Sequence, residues 1–308
     1  MKRLLYIAIS LTFIAHTAFA QGTDALPFTR IDRNPATAAL AGAGSASNST
    51  AAYSAFSNAS LLPFYKGKLD AGVSLQMWSP SSAKSTNLTA GAALKISKRV
   101  GLSLGYAFQS GAAYDVQDYN GQITGTFSPK SHVVVLGAGF GLGDHFSLGV
   151  NVRYAMQKPS ADVSFNGVSG DLFLAYAVND DLHFTAGVST LGTNITATNK
   201  KKFSQPTSAK LAAHWGITFA AVNRIELMAD ADYYFSKNFG AALGAQYAWN
   251  DTVFVRAGYR YASQYCVIPS HLGIGIGAKF YGFKIDLSYL TASKALGNTL
   301  CIGLGYSF

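Results

Sequence analysis

The chain predicts an all-β protein, a transmembrane antiparallel β-barrel of about 14 strands with an amino-terminal plug rich in Ala, Gly and Ser. Three observations carry that prediction. Alternating apolar and polar residues recur from Lys68 to Phe308. Only 13% of the residues are charged, about half the share of an ordinary soluble domain. The connections between alternating runs also sort by parity, short after even-numbered runs and often long after odd-numbered ones.

The first 20 residues have Lys2 and Arg3, then an apolar run from Leu4 to Ile14, then Ala18-Phe19-Ala20. That is a secretory signal peptide, because the run is too short to span a bilayer. No apolar run after it reaches the length of a membrane helix. The expected organisation is signal peptide 1–20, plug 21–67 and barrel 68–308.

Residues 21–67 do not alternate cleanly. Helical turns are expected at Pro35–Leu40 and Thr50–Phe56, the second capped by Ser49 or Thr50. One reading is a mobile leader. The other is a plug, because a barrel of about 14 strands is too wide for side chains alone to fill. The inward positions are often glycine, among them Gly149, Gly244, Gly258, Gly273 and Gly303. Small residues on both surfaces would let a folded segment pack closely inside.

Strands are expected at 68–78, 85–96, 100–110, 129–141, 145–157, 163–177, 182–191, 206–219, 223–235, 239–248, 253–262, 271–280, 282–291 and 298–308. The number is even, as in bacterial single-chain barrels. The turns after even strands are tiny, such as Lys98-Arg99 and Val178 to Asp181. The connections near 111–129, 192–205 and 263–270 are longer. Short turns at one end and long loops at the other mark an outer-membrane barrel, with turns periplasmic and loops outside. A secreted sandwich has no reason to sort its loops this way.

Charge assigns the faces. The ninth strand puts Ile225, Leu227 and Tyr233 on one side and Glu226, Asp230 and Asp232 on the other. The eleventh sets Val253, Val255 and Tyr259 against Arg256 and Arg260, and the thirteenth Phe283, Ile285 and Leu287 against Lys284 and Asp286. A charge facing mid-membrane lipid costs about 2–4 kcal/mol, so the charged faces must point into the lumen. These residues are expected to form a network that seats the plug through Arg30, Asp32 and Arg33, or a polar pore lining; the first is favoured because buried charges need partners. Aromatics near strand ends, Trp78, Phe140, Trp215, Trp249, Phe280 and Tyr306 among them, are expected to form interfacial girdles.

The last strand alternates to the final residue through Leu300, Ile302, Leu304, Tyr306 and Phe308. Barrel closure removes the need to cover its edge. This ending resembles the signal, here Tyr306 and Phe308, that outer-membrane proteins present to the barrel assembly machinery.

A barrel behind an amino-terminal hatch resembles the FadL superfamily of outer-membrane transporters and its PorV/PorQ relatives. Those families open with a Gly/Ala-rich stretch, then an acidic turn and an aromatic-x-Asn-Pro-Ala motif. Ala39 to Ser47 match the first part; Ser57-Asn58-Ala59-Ser60 stand where the second would be, without the proline or the acidic residues. FadL-type proteins admit hydrophobic molecules that leave the barrel sideways. PorV-type proteins handle cargo in type IX secretion. Modest length and short outer loops favour the PorV/PorQ branch, accessory to protein secretion; FadL-type passive uptake of hydrophobic small molecules is the alternative. The expected partners are accordingly a secretion-system protein or a hydrophobic ligand, with outer-membrane lipid and lipopolysaccharide around the wall.

No G-x-S-x-G, H-E-x-x-H, C-x-x-C or P-loop motif occurs. The chain is therefore read as a non-enzyme without a cofactor or metal. His183 and His214 both face the lumen by parity, where filling is their expected job. The net charge of +9 does not suggest nucleic acid, since no basic stripe interleaves with aromatics on one face. Asn199 to Phe203 are a solvated loop or a contact for lipopolysaccharide phosphates. A disulfide between Cys266 and Cys301 requires the loop of Cys266 to fold inward.

Overall fold

The computed structural model describes residues 24–79, 84–196, 202–220, 222–291, 293, 296 and 298–308. The signal-peptide expectation and the loop residues Asn199, Lys200 and Lys201 lie outside them. Fourteen strands close into one barrel. They are β1 Leu69–Trp78, β2 Ser85–Lys95, β3 Val100–Gly111, β4 Lys130–Gly141, β5 Phe146–Ser160, β6 Val163–Ala177 and β7 Leu182–Gly192. The circuit continues with β8 Ser208–Phe219, β9 Asn223–Tyr234, β10 Asn238–Trp249, β11 Val253–Ala262, β12 His271–Phe280, β13 Phe283–Thr291 and β14 Thr299–Ser307. Every neighbouring pair is antiparallel, and β14 closes on β1 with Asp70 opposite Ser307 and Met77 opposite Leu300. With its strands at this length and alternation, the protein is an outer-membrane β-barrel.

The alternation works as the charge argument requires. Val73, Leu104, Leu136, Val152, Leu243, Ile274 and Leu304 are exposed, forming the apolar outer band. Asp70, Arg153, Asp171, Glu226, Asp230, Asp232, Arg256 and Arg260 are buried inside. Trp78 departs from the expected girdle. It shares the inward parity of Gln76 and packs beside Phe56 against a buried cluster of Leu26, Phe28 and Ile31.

Outer connections hold structure that alternation over long windows hides. Tyr114–Gln117 and Ile123–Phe127 pair as a separate hairpin where a loop is expected. Its turn is held by the Asp118 carboxylate, which accepts from the backbone N–H groups of Asn120 and Gln122, each at 2.9 Å. β5 runs three residues beyond its expected end, to Ser160. Of the basic loop, Lys202 and Phe203 pair with Ile195 and Thr196.

Residues 24–65 lie within the lumen, and among them only Pro27, Ser49 and Ser57 are exposed. At one end Ala25 N–H donates to the Ser204 carbonyl at 2.7 Å, in the connection after β7, and Ser236, in the connection after β9, donates to the Asp24 carboxylate at 3.2 Å. At the other, Lys66 meets Asp180 in a short turn at 3.0 Å. The segment thus threads the barrel from the end that carries the long loops to the end that carries the short turns and runs on into β1.

Its local structure bears out one expected helical turn and corrects the other. The short helix spans Pro35–Ala39, and Asn34 caps it by accepting from Ala36 N–H at 3.0 Å. Thr50–Phe56 forms turns, not a helix: the N–H groups of Ala51 and Ala52 donate to the β1 carboxylate of Asp70, at 2.7 and 3.2 Å, instead of starting a helix under Ser49 or Thr50. The second helical stretch is a 3-10 turn at Ala59–Phe64, capped by Asn58.

Candidate functional site

Glycine sets the fit between segment and wall. Gly244, Gly258 and Gly273 stand side by side on β10, β11 and β12. A Cβ on Gly258 would overlap the Leu40 carbonyl, and one on Gly273 would stand 2.5 Å from the Ala38 carbonyl oxygen. Gly101, Gly139 and Gly149 form a second row, on β3, β4 and β5, beneath Ala59 to Leu62. Gly72, Gly91 and Gly105 form a third, on β1, β2 and β3, beneath Ala52, Tyr53 and Phe56. At Gly91, Gly139, Gly149, Gly258 and Gly273 the segment's backbone lies directly against the wall's own backbone. Real Cβ atoms do not tolerate such separations from backbone, so these five positions need glycine for close approach, while Gly72, Gly101, Gly105 and Gly244 meet side chains of Tyr53, Leu62, Phe56 and Leu40.

Charge supplies the second set of contacts. Asp232 on β9 accepts from Arg30 of the segment at 3.3 Å and Arg260 of β11 at 2.9 Å, and Lys210 of β8 lies 3.4 Å away. Asp230, two residues earlier, accepts from Gly44 N–H at 2.9 Å and Lys210 at 3.2 Å. Asp70 pairs with Lys284 at 3.0 Å and holds the turn at Ala51. All three carboxylates are buried and sit among several donors, which buried charge requires.

The remaining expected charges bond along the wall. Arg256 meets Asp286 at 2.5 Å and donates to Gln246, which in turn donates to Glu226. Arg224 joins Glu226 at 3.0 Å to Asp181 at 2.7 Å in a short turn. Beside this chain, His183 and His214 stack with ring centroids 5.5 Å apart, and Phe64 stacks on His183.

Two segment residues do not take the partners expected of them. Asp32 accepts from Thr37 at 2.8 Å and Asn34 N–H at 3.1 Å, within its own segment, and burial raises its pKa above the usual carboxylate value. Arg33 donates to the Phe28 carbonyl at 2.9 Å and lies 5.4 Å from the Phe56 ring centre, without a carboxylate in hydrogen-bond contact among the described residues. Cys266 and Cys301 are both free: Cys266 stays in its loop, while Cys301 is buried on β14 beside Ala38 and Leu290. Tyr306 and Phe308 are both exposed on the outer surface.

Sequence reasoning missed Asp70, Arg153, Asp171 and Lys210. Arg153 and Asp171 form a fully buried pair at 3.0 Å on β5 and β6. All four occupy inward positions, so the parity rule applied to the ninth, eleventh and thirteenth strands would have found them.

Above the segment, toward the outer loops, is a cavity of about 130 Å³. Tyr53, Phe56, Trp78, Arg33, Lys210 and Arg260 are among its lining.

No protein-family model and no curated protein matches the chain. Solved structures do. The Ralstonia pickettii toluene transporter TbuX superposes with a TM-score of 0.61 at 14% identity, over 89% of this chain and 97% of that one. The Pseudomonas putida toluene transporter TodX gives 0.60 at 16%, over 94% and 99%. A Pseudomonas aeruginosa FadL homologue gives 0.52 at 12%, over 89% and 95%. The chain has the fold of these outer-membrane barrels over nearly its whole described length.

Proposed function

We propose that this protein admits small hydrophobic molecules passively across the outer membrane, with residues 24–65 as the plug that keeps the resting channel closed. The observation that carries the reading is the seat itself. Three glycine rows let the segment's backbone and side chains lie directly on the wall, and Asp70, Asp230 and Asp232 bind it, in a fold shared with toluene transporters. A wall shaped this closely to its filling suits a gate. The secretion role weighed from chain length and loop length draws no support from the likenesses above.

Sideways release into the membrane would meet least obstruction at β1 and β2. There Gly72 and Gly91 leave the wall one backbone thick, with Ala71, Ala90 and Ala92 lining a shallow groove on the lipid face.

The test pairs two measurements. Planar-bilayer conductance of the full chain should be near zero and should rise when residues 24–65 are deleted. Cells with an intact outer membrane should take up radiolabelled toluene faster when they carry the protein. Equal conductance of both chains removes the plug; uptake unchanged by the protein removes the transport role.

A further inference from the structure

We propose that the lipid-facing side of β4 and β5 carries a docking site for the phosphate of lipopolysaccharide, with Lys130 and Lys158 as its two cations. The site lies outside the lumen and does not depend on what passes through it. The register sets these lysines directly opposite each other. Both are exposed, and both share the outward parity of Val134, Leu136, Val152 and Tyr154. Like charges directly opposite on one face of a sheet destabilise the pair. Neither makes an ion pair among the described residues, and Lys158 instead lies 5.8 Å from the centre of the Phe127 ring. Asp162, in the turn between β5 and β6, is exposed and pairs with neither. An anion between the two lysines would relieve their repulsion.

The rows on this face are layered as a lipid is. Thr86, Ser110, Lys130 and Lys158 stand side by side across β2, β3, β4 and β5. The next outward row is Leu88, Phe108, His132 and Met156, and the one after it includes Tyr106 and Tyr154. The Tyr106 hydroxyl and His132 Nδ1 share a hydrogen bond at 2.9 Å, and the rings of His132 and Phe108 lie 4.9 Å apart. Two cations and two hydroxyls thus sit above a layer of amphipathic rings, the kind that settles at headgroup level in a bilayer. Depth agrees. At about 3.4 Å per residue and a tilt of about 40°, β4 rises about 25 Å from Phe140 to Lys130, the height of the apolar band of such barrels. The lysines therefore stand at the edge of that band, at the end that carries the long connections, which in outer-membrane barrels faces outside. The outer leaflet there is built of lipopolysaccharide, whose lipid part carries its phosphates at this depth.

The pair is a local feature. Elsewhere on the same rim the outward residues are aromatic: Tyr233 and Phe235 at the end of β9, Phe239 on β10 and Tyr261 on β11. Lys158 belongs to the stretch by which β5 exceeds its expected end, and the hairpin steadies that stretch, since the Tyr114 hydroxyl donates to the Pro159 carbonyl at 3.2 Å. Lysine binds phosphate as a compact point charge, and the hydroxyls of Thr86 and Ser110 add donors in the same row.

The experiment is native mass spectrometry of the refolded full chain in detergent. The chain is titrated with bis-phosphorylated lipid A, with the same lipid A stripped of phosphate, with phosphatidylglycerol and with inorganic phosphate. Heat-modifiable gel mobility reports the fold. Phosphorylated lipid A should bind about twenty-fivefold more tightly than the stripped form, about fivefold for each lysine that meets phosphate. Lys130→Gln and Lys158→Gln should each lose about fivefold, and the double variant should bind both forms of lipid A alike. Lys202→Gln, in the basic loop, should change nothing. Equal binding of the two forms by the native chain, or a double variant as tight as the native chain, overturns the site. Phosphatidylglycerol bound as tightly as lipid A marks a general anionic surface, and inorganic phosphate that displaces lipid A at equal concentration marks a free-anion site; either overturns the assignment to lipopolysaccharide. A loss confined to Lys202→Gln moves the contact to the loop and overturns it as well. Should the double variant fail to fold, the two single variants decide the matter.

Discussion

Gly258 of β11 and Leu40 of the luminal segment meet backbone to backbone: a Cβ on Gly258 would overlap the Leu40 carbonyl and stand 2.7 Å from its Cα. Neither side can yield by rotating a side chain. Gly258→Val should therefore unseat the segment and leave the wall intact, since the new side chain points inward and the β10–β11–β12 ladder is untouched. Overpacking of this kind costs about 1–3 kcal/mol or more. The measurement is conductance, which should rise toward that of the chain lacking residues 24–65. A closed Gly258→Val channel would show that this contact does not hold the segment.

Asp232 serves three cations, Arg30, Lys210 and Arg260. Asp232→Asn leaves them facing one another in the buried interior of the barrel. Breaking a buried pair from one side typically costs about 3–5 kcal/mol. Arg30→Met removes one of three partners and should cost less. Both variants should raise open probability, Asp232→Asn more. The reverse order would mean that Asp232 serves the wall and not the segment.

Asp32 gives a pH dependence. Burial raises its folded-state pKa above the unfolded value, so the folded segment binds the extra proton. Its contribution to stability is fully present below the unfolded pKa and falls as pH climbs through the folded one. Hydrogen exchange over residues 34–45 should accelerate across that window in the native chain and flatten in Asp32→Asn. An acceleration that survives the substitution would assign the effect to another group.

Cys266 lies partly exposed in an outer connection and Cys301 is buried on β14. A membrane-impermeant maleimide added to intact cells should label one thiol per chain. Cys266→Ser should abolish labelling and Cys301→Ser leave it unchanged. Burial raises the Cys266 pKa, so labelling should quicken as pH rises. Labelling that needs a ruptured outer membrane would invert the orientation of the barrel.

The wall was legible because alternation is local. Each strand shows its two faces in its own residues, as Ile225, Leu227 and Tyr233 do against Glu226, Asp230 and Asp232. The hairpin at Tyr114–Phe127 escaped because its strands are short and separated by an Asp118 turn. Trp78 was placed in a girdle by residue type although its parity pointed inward.

By itself the sequence determined that this chain crosses a membrane in strands, which face meets lipid, and that the lumenal positions are small or charged. Those follow from period-two spacing and the cost of charge in lipid. Tertiary structure alone decided how the lumen is filled. Arg30 and Asp232 lie 202 residues apart in the chain, and nothing in either neighbourhood names the other. Leu40 finds Gly258 and Ala51 finds Asp70 only once the barrel closes, because closure brings fourteen inward faces around one short, irregular segment.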